Sequence, residues 1–313
     1  MTLDLRDSRS VADAFLRGAK ANRESVLRVG SIEVVTPEDP TPALIVTGDL
    51  HDNPVSFAKL LHAAGMDGPG AEAVGEGSVP RAHLTLHELI HPDTLSNGRD
   101  LSVRVFAKVA DLKARFPRHV HTLLANHELA EIVGAGIIKD GVNVVKLFDE
   151  GVEFLFGEDA PTVMEALGEF VRSMPLALRC VGAGAALADG TAGDLLCAHS
   201  LPGPDLIDRF DPGILEREIS EDDRTPRRGS AHIMVWGRGQ HEELLEDLSA
   251  RWRVGTFVLG HEKAPEGWLR LASRALVLNT DHHEGVYAEL DLRKAWDAGT
   301  IASQCVKIAS SGG

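Results

Sequence analysis

The 313-residue sequence has no run of about 18 uncharged apolar residues, the length a bilayer-spanning helix needs, so no such helix is expected. The first residues, MTLDLRDSRS, carry charge throughout and have no apolar h-region, which argues against export by a signal peptide. Cysteine is scarce: Cys180, Cys197 and Cys305 are far apart and odd in number. A disulfide framework is therefore not expected, and the three thiols read as small buried hydrophobes of a protein in the reducing cytoplasm. Positive charge is also in deficit, with 32 Lys and Arg against 47 Asp and Glu and a net charge of -15. A broad nucleic-acid or anionic-membrane surface is not expected, because such partners need clustered cations to displace counterions. A small phosphorylated substrate is compatible with that charge if metal ions neutralise the site locally.

Against these absences stands ample apolar material, 43% of residues, enough for one large globular unit or two modest ones. Residues 8–27 place apolar side chains at helical spacing behind a Ser cap, predicting an amphipathic helix that packs outside the core. Pro37, Pro40 and Pro42 lead into ALIVTGDLHDN, an apolar run of strand length ending in polar residues, and FAKLLHAAGM reads as the next helix. Residues 67–80, rich in Gly and Pro, read as a long loop before HLTLHELIH. A helix over 101–115 precedes HVHTLLANHE, and later strands are expected at 194–198, 254–259 and 275–280. The charged, turn-rich segment 201–230 predicts no regular structure, and the small polar tail after Asp297 predicts weak order. Strand, polar strand end and helix in repetition signal an α/β protein with its functional groups at the strand ends.

Those strand ends carry the chemistry. Asp49 and His51 follow ALIVTG and offer an oxygen and a nitrogen to one cation, though an Asp-rich turn explains them equally when taken alone. Asn126, His127 and Glu128 follow HVHTLL, where an amide oxygen can bind metal while the adjacent imidazole faces a substrate; the bland alternative is a helix N-cap. His199 follows DLLCA and His261 follows TFVLG, and each alone is an ordinary strand-end histidine.

As an ordered set these residues resemble the calcineurin-like metallophosphoesterase superfamily, and within it the phosphoprotein phosphatase branch, whose motifs run GDxHG, GDxxDRG, GNHE, HGG and GH. The resemblance spans residues 43–291 and extends to MPLAL at 174–178, Trp236-Gly237-Arg238, GHEKAPEGW at 260–268 and VLNTDHHEGVYAELDL. It implies a four-layer αββα metallophosphoesterase sandwich, two mixed β-sheets flanked by helices. It also implies a single domain over 1–313, with an N-terminal helical extension over about 1–36, a catalytic core over about 43–291 and a short tail.

His87-Glu88-Leu89-Ile90-His91 fits a second pattern, HExxH, in which a zinc endopeptidase holds its metal with two histidines on one helix face. Pro80 and Pro92 could bracket such a helix. By order along the chain, the same residues fall where the phosphatase branch has GDxxDRG. Glu88 then replaces the metal-bridging Asp, His91 replaces the Asp that supports the catalytic histidine, and Pro92 replaces a phosphate-holding Arg.

The resemblance assigns one metal to Asp49, His51 and Glu88, and the second to Glu88, Asn126, His199 and His261. Two such ions, about 3.5–4 Å apart, activate a hydroxide and clamp phosphoryl oxygens during in-line attack. The mixed nitrogen and oxygen set fits Mn, Fe or Zn. His127 would protonate the leaving oxygen with His91 as its neighbour. Because a histidine supports an imidazolium poorly, His127 should be a weak acid unless Asp52, Asp93 or Asp100 substitutes. Arg238 is the first candidate for phosphate, with Arg99 and Arg104 behind it, while His282 and His283 read as a polar turn.

The expected activity is a phosphohydrolase cleaving phosphomonoesters or phosphoanhydrides, as a serine/threonine phosphatase or a dinucleoside polyphosphate hydrolase does. Its partner is a phosphorylated small molecule or phosphoprotein, with no nucleic acid and no membrane. The rivals are the zinc endopeptidase and a degenerate module that binds phosphate without turnover.

Overall fold

The structure, a computed structural model, describes residues 3–67, 79–139 and 141–310. Most of the long loop expected at 67–80 lies outside the described residues. The chain runs through α1 (Ser8–Arg23), β1 (Arg28–Val29), β2 (Ile32–Val35), β3 (Ala43–Thr47), α2 (Pro54–Ala64) and β4 (His83–Leu86). It continues with α3 (Val103–Arg115), β5 (Val120–Thr122), α4 (Asn126–Val133), β6 (Ile138–Lys139), β7 (Val142–Asn143), α5 (Val144–Phe156) and α6 (Ala160–Ser173). Next come β8 (Ala177–Gly184), β9 (Gly193–Ala198), α7 (Ser230–Val235), α8 (Glu242–Trp252) and β10 (Val254–Leu259). The last elements are β11 (Trp268–Arg270), β12 (Ala275–Leu278), β13 (Val286–Asp291), α9 (Ala298–Ser303) and β14 (Cys305–Lys307).

Two mixed sheets form, a seven-stranded one in the order β1-β2-β8-β9-β10-β12-β11 and a five-stranded one in the order β14-β13-β3-β4-β5. The small hairpin β6-β7 stands apart. Alternation along the strands explains how the sheets stack, because successive side chains leave opposite faces. Leu44, Val46, Leu195, Cys197, Leu276 and Leu278 point into one apolar cluster shared by the two sheets. Their neighbours Ile45, Leu196, Ala198, Ala275 and Val277 belong to a second cluster with residues of the helices. Strands buried on both faces need such unbroken apolar runs, as ALIVT and VGTFVL show. The result is the α/β arrangement of two mixed sheets flanked by helices. Cys180 and Cys197 are free and buried between the sheets.

Local chemistry sets the helix ends. Asn53 caps α2 by accepting from the Val55 and Ser56 N–H groups, Pro54 opens the helix, and Gly65 closes it at φ 69. At α1 the cap is Asp7 rather than a serine. That helix does not lie outside the core as expected: Val11, Ala14, Phe15 and Ala19 are buried, and Phe15 packs on Phe106 and Phe170 with ring centroids 5.4 and 5.9 Å apart. Its apolar stripe fills the groove between α3 and α6, so burial of that stripe outweighs its terminal position. The tail after Asp297 also departs from expectation. Asp297 and Thr300 form a capping box on α9, Ile301 is buried, and β14 adds an antiparallel edge to β13. Segment 201–230 makes only short 3-10 turns at Pro204–Arg209, Pro212–Glu216 and Asp222–Arg224. No helix among the described residues is long and apolar enough to cross a membrane.

Parallel pairing decides where polar residues collect. β3, β4 and β5 run parallel in one sheet, and β9, β10 and β12 run parallel in the other. Their C-terminal ends meet at one edge of the sandwich, where open α/β sheets place their ligands. The two sheets are joined there. The Gly48 N–H donates to Thr280 Oγ1 at 2.8 Å, and the Thr280 N–H donates to the Asp49 carbonyl at 3.1 Å. A side chain at position 48 has no room, since a Cβ would lie 1.8 Å from the Leu278 carbonyl oxygen.

Candidate metal centre

Each strand end delivers its polar residue by a sharp change of backbone direction. His51, Asp52, Glu88, His91 and His261 all adopt left-handed conformations, with φ of 44°, 55°, 49°, 61° and 67°. Such values are uncommon outside glycine and persist where surrounding structure enforces them. The enforcement is visible: the N–H groups of Leu50 and His51 both donate to the Glu88 carbonyl, at 3.1 and 2.8 Å, and Asp52 N–H donates to that of Leu89. Loops 49–52 and 88–91 are thereby zipped together. This geometry rules out the HExxH reading, because residues 87–91 form no helix and cannot present both histidines on one helix face.

His199 lies at the centre of the cluster. Its Nε2 lies 2.6 Å from Asn126 Oδ1, 3.0 Å from Glu88 Oε2 and 3.0 Å from His261 Nδ1. Its Nδ1 lies 3.3 Å from Asp49 Oδ1 and 3.3 Å from His87 Nδ1. Glu88 spans the cluster, with Oε1 3.5 Å from both His51 Nε2 and His127 Nε2. Asn126 is the first residue of α4 rather than its cap, which is Ala125, so its amide oxygen is free to face His199.

Three ligand groups result: Asp49 with His87 and His199, His51 with Glu88 and His127, and Glu88 with His199 and His261. The structure thus brings together all six expected ligands, but it seats Asp49 against His87 and His199 while His51 meets Glu88 and His127. Both oxygens of Asp49 accept from the His261 N–H, at 3.0 and 2.8 Å, which turns the carboxylate toward that side.

This donor set fits cations. One imidazole N–H cannot satisfy an amide oxygen, a carboxylate and a second imidazole, so lone pairs face one another across His199 Nε2. Glu88 Oε2 and His261 Nε2 are buried without a hydrogen-bond partner among the described residues, and such groups are costly unless something binds them. His51 is oriented for the role: its Nδ1 donates to the Ile90 carbonyl at 3.2 Å, leaving the Nε2 lone pair toward Glu88. Without a cation, a proton does part of its work. Burial opposes charge on His199, yet Glu88 and Asp49 beside it raise its pKa to about 10. Burial likewise opposes charge on Glu88, but His127 and His199 hold its carboxyl well below the usual range.

Among the described residues, His127 stands without a supporting carboxylate on Nδ1. Burial pushes its pKa down to about 4, and its Nδ1 has no partner among the described residues. His91 lies beside it, ring centroids 5.0 Å apart, but the nitrogens of His91 are engaged elsewhere: Nδ1 with Asp100 at 3.0 Å and Nε2 with Glu131 at 3.1 Å. Those two carboxylates overcome burial and raise the pKa of His91 to about 9. Asp100, a suggested substitute partner for His127, therefore serves His91. Asp52 is half-buried, its pKa raised to about 7 by burial and by Asp100, and Asp93 is exposed.

Arg238 reaches the rim: Nη1 binds Glu262 at 2.9 Å and Nη2 lies 3.5 Å from His261 Nδ1. Arg99 instead stacks 4.1 Å over Phe154, and Arg104 is half-buried on α3. His282 Nε2 donates to the Ala264 carbonyl, and His283 is exposed, as a polar turn requires. Sequence reasoning missed His87 as a member of the cluster, and Glu131 as a partner of His91. His87 directly follows β4, so the strand-end signal used for Asp49, His199 and His261 applied to it equally. Glu131 carried no such signal, being one acidic residue on a helix.

Among solved structures, the chain is similar to a protein serine/threonine phosphatase from Saccharomyces cerevisiae. That match has 14% identity and a TM-score of 0.59, over 91% of this chain and 83% of that one. It is also similar to a cold-active protein-tyrosine phosphatase of a psychrophilic Shewanella, with 13% identity and a TM-score of 0.52, over 87% of this chain and 79% of that one. No protein-family model and no curated sequence matches the chain. The likeness is one of fold: the chain has the calcineurin-like metallophosphoesterase fold, with buried His, Asp and Glu clusters suited to metal at the strand ends.

Proposed function

We propose that the protein is a metal-dependent phosphohydrolase acting on phosphomonoesters or phosphoanhydrides. The observation that carries this reading is the convergence of Asp49, His51, Glu88, Asn126, His199 and His261 at the edge where both sheets end, with unshared lone pairs turned inward. Glu88, Asn126, His199 and His261 would hold one ion, and Asp49, His51 and Glu88 the other, with Glu88 shared. Paired divalent cations of Mn, Fe or Zn supply an acidified water and neutralise phosphoryl charge.

The remaining work falls to this chain's own side chains. Arg238, tethered by Glu262 at the rim, can turn its guanidinium onto two phosphate oxygens. His127, beside Glu88, is the group placed to hand a proton from Nε2 to a leaving oxygen. Its low pKa leaves it mostly neutral near pH 7, so substrates with good leaving groups, aryl phosphates or anhydrides, are favoured. The missing Nδ1 partner of His127 favours one second reading, a phosphate-binding module with little turnover.

Release of phosphate from p-nitrophenyl phosphate with added manganese tests the proposal. Activity is expected to require the metal, to disappear in Asp49→Asn, and to fall by about 10²–10⁴ in His127→Asn. A metal-loaded sample that turns over no ester and no anhydride leaves only the binding module. A screen across phosphopeptides, dinucleoside polyphosphates and small esters then identifies the substrate class.

A further inference from the structure

His87 stands where the resembled motif has glycine, and the two ligand sets assigned above to the paired ions leave it out, although it lies against Asp49 and His199. Its side chain is almost wholly buried, 2% exposed. Nε2 lies 3.1 Å from the Thr47 carbonyl, which can only accept, so Nε2 carries the hydrogen and Nδ1 is the atom turned inward. That Nδ1 lies 3.4 Å from Asp49 Oδ1 and 3.3 Å from His199 Nδ1, and the Asp49–His199 separation is also 3.3 Å. Three donor atoms thus form a nearly equilateral triangle. Ligands bound tetrahedrally at about 2.0–2.1 Å lie about 3.3–3.4 Å apart, the spacing of one face of such a site. Room for the imidazole comes from Gly260, where a Cβ would sit 2.6 Å from His87 Cε1 and 2.2 Å from Asp49 Oδ1.

We propose that His87 is a metal ligand, completing with Asp49 and His199 a nitrogen-rich face at the Asp49 end of the centre. The inference rests on the dinuclear reading above and alters its ligand set. An added imidazole makes that end softer and better suited to zinc than to manganese. The Thr47 carbonyl fixes its tautomer, the arrangement usual for metal-bound histidine. His199 meets this ion through Nδ1 while its Nε2 hydrogen stays toward Glu88 and Asn126, so the proton on Nδ1 leaves to solvent as the cation enters and the other ion is left to Glu88, Asn126 and His261.

The test is imidazole ¹⁵N NMR of the zinc-loaded wild-type chain, alongside metal titration of His87→Gln and His87→Ala. His87 Nδ1 is expected at a metal-bound shift with Nε2 still protonated. Zinc affinity of both variants should fall by more than about 100-fold, beyond the 10–100-fold that loss of a supporting hydrogen bond causes. The preference for zinc over manganese should fall with it. Thermal melts of the metal-free variants separate loss of ligand from loss of fold, and the NMR result stands even if neither variant folds. If wild type binds two ions and hydrolyses phosphate while His87 Nδ1 keeps an unmetallated shift, the inference fails and the phosphohydrolase reading survives. If wild type binds no metal, both fail.

Discussion

At His91, two carboxylates meet one imidazole, Asp100 on Nδ1 and Glu131 on Nε2, and the ring also lies edge-on to Phe148 with centroids 5.6 Å apart. A histidine in place of a supporting carboxylate thus recruits its own carboxylates and becomes a buried cation, leaving His127 without the partner the resemblance implied. The consequence has a sign. With a folded pKa of about 9 against an ordinary 6.5, the proton on His91 stabilises the fold fully below about pH 6.5. That contribution is lost as pH rises through about 9. Two-dimensional ¹⁵N spectra should show the His91 ring doubly protonated at pH 7.5 and losing a proton near 9. A neutral ring at pH 7.5 would overturn this account. The position of His91 and the idea of a substitute acid were legible in the sequence, but not which histidine Asp100 serves. That depends on whether the 100–102 turn, with Ser102 N–H and Oγ both donating to Asp100, aims the carboxylate at one ring or the other.

Between elements, a buried polar chain ties the sandwich at the opposite end of these strands. Lys113 on α3 reaches Glu33 on β2 at 2.7 Å, and the same carboxylate meets His121 on β5 at 2.6 Å, while His121 touches His83 on β4 at 3.0 Å. Lys113 also donates to the carbonyls of Pro117 and Val120, so its ammonium is fully engaged. Burial opposes the charge on Glu33, but Lys113 and His121 hold its carboxyl far below the usual range. Lys113→Met leaves that carboxylate buried beside a histidine alone, and should cost about 3–5 kcal/mol in urea unfolding. A loss under about 1 kcal/mol would mean that the pair contributes nothing net. None of this was legible beforehand, because Glu33, Lys113 and His121 are far apart in sequence and each reads locally as an ordinary strand or helix residue. The strands themselves were legible: DLLCA and TFVLG are apolar runs cut short by a polar residue, and β9 and β10 end at Ala198 and Leu259 as that pattern implies. HLTLHELIH was not, since its apolar continuation past Leu86 hid the left-handed turn at Glu88 that ends β4 and opens the site. Tail residues misled for the reverse reason: composition is silent about a ladder to β13 supplied by backbone atoms.

Across the whole molecule, a chain of net charge -15 gathers Asp49, Glu88, Glu128 and Glu131 near one sheet edge, and only bound cations or protons can make that concentration tolerable. The pKa values show protons in that role: burial and the charge of Glu88 raise Glu128 to about 7, burial raises Glu131 to about 7, and His199 retains its proton to about 10. Metal binding and proton release are therefore linked. A cation held through either nitrogen of His199 needs a lone pair on that ring, so about one proton must leave from it at neutral pH. Below the pKa of His199, affinity should rise about tenfold per pH unit as this proton becomes easier to remove. Because the ligands come from strand ends of both sheets, the ions also cross-link the seam where Gly48 meets Leu278, and binding only the folded state stabilises it. With free metal at a thousand times its dissociation constant, the gain is about 4 kcal/mol. Calorimetric titration with zinc or manganese in buffers of different protonation enthalpy measures the proton count, and thermal unfolding with and without chelator measures the stability. A pH-independent affinity between 6 and 8, or a melting temperature indifferent to chelator, would show that the clustered histidines and carboxylates are a polar core sustained by protons alone.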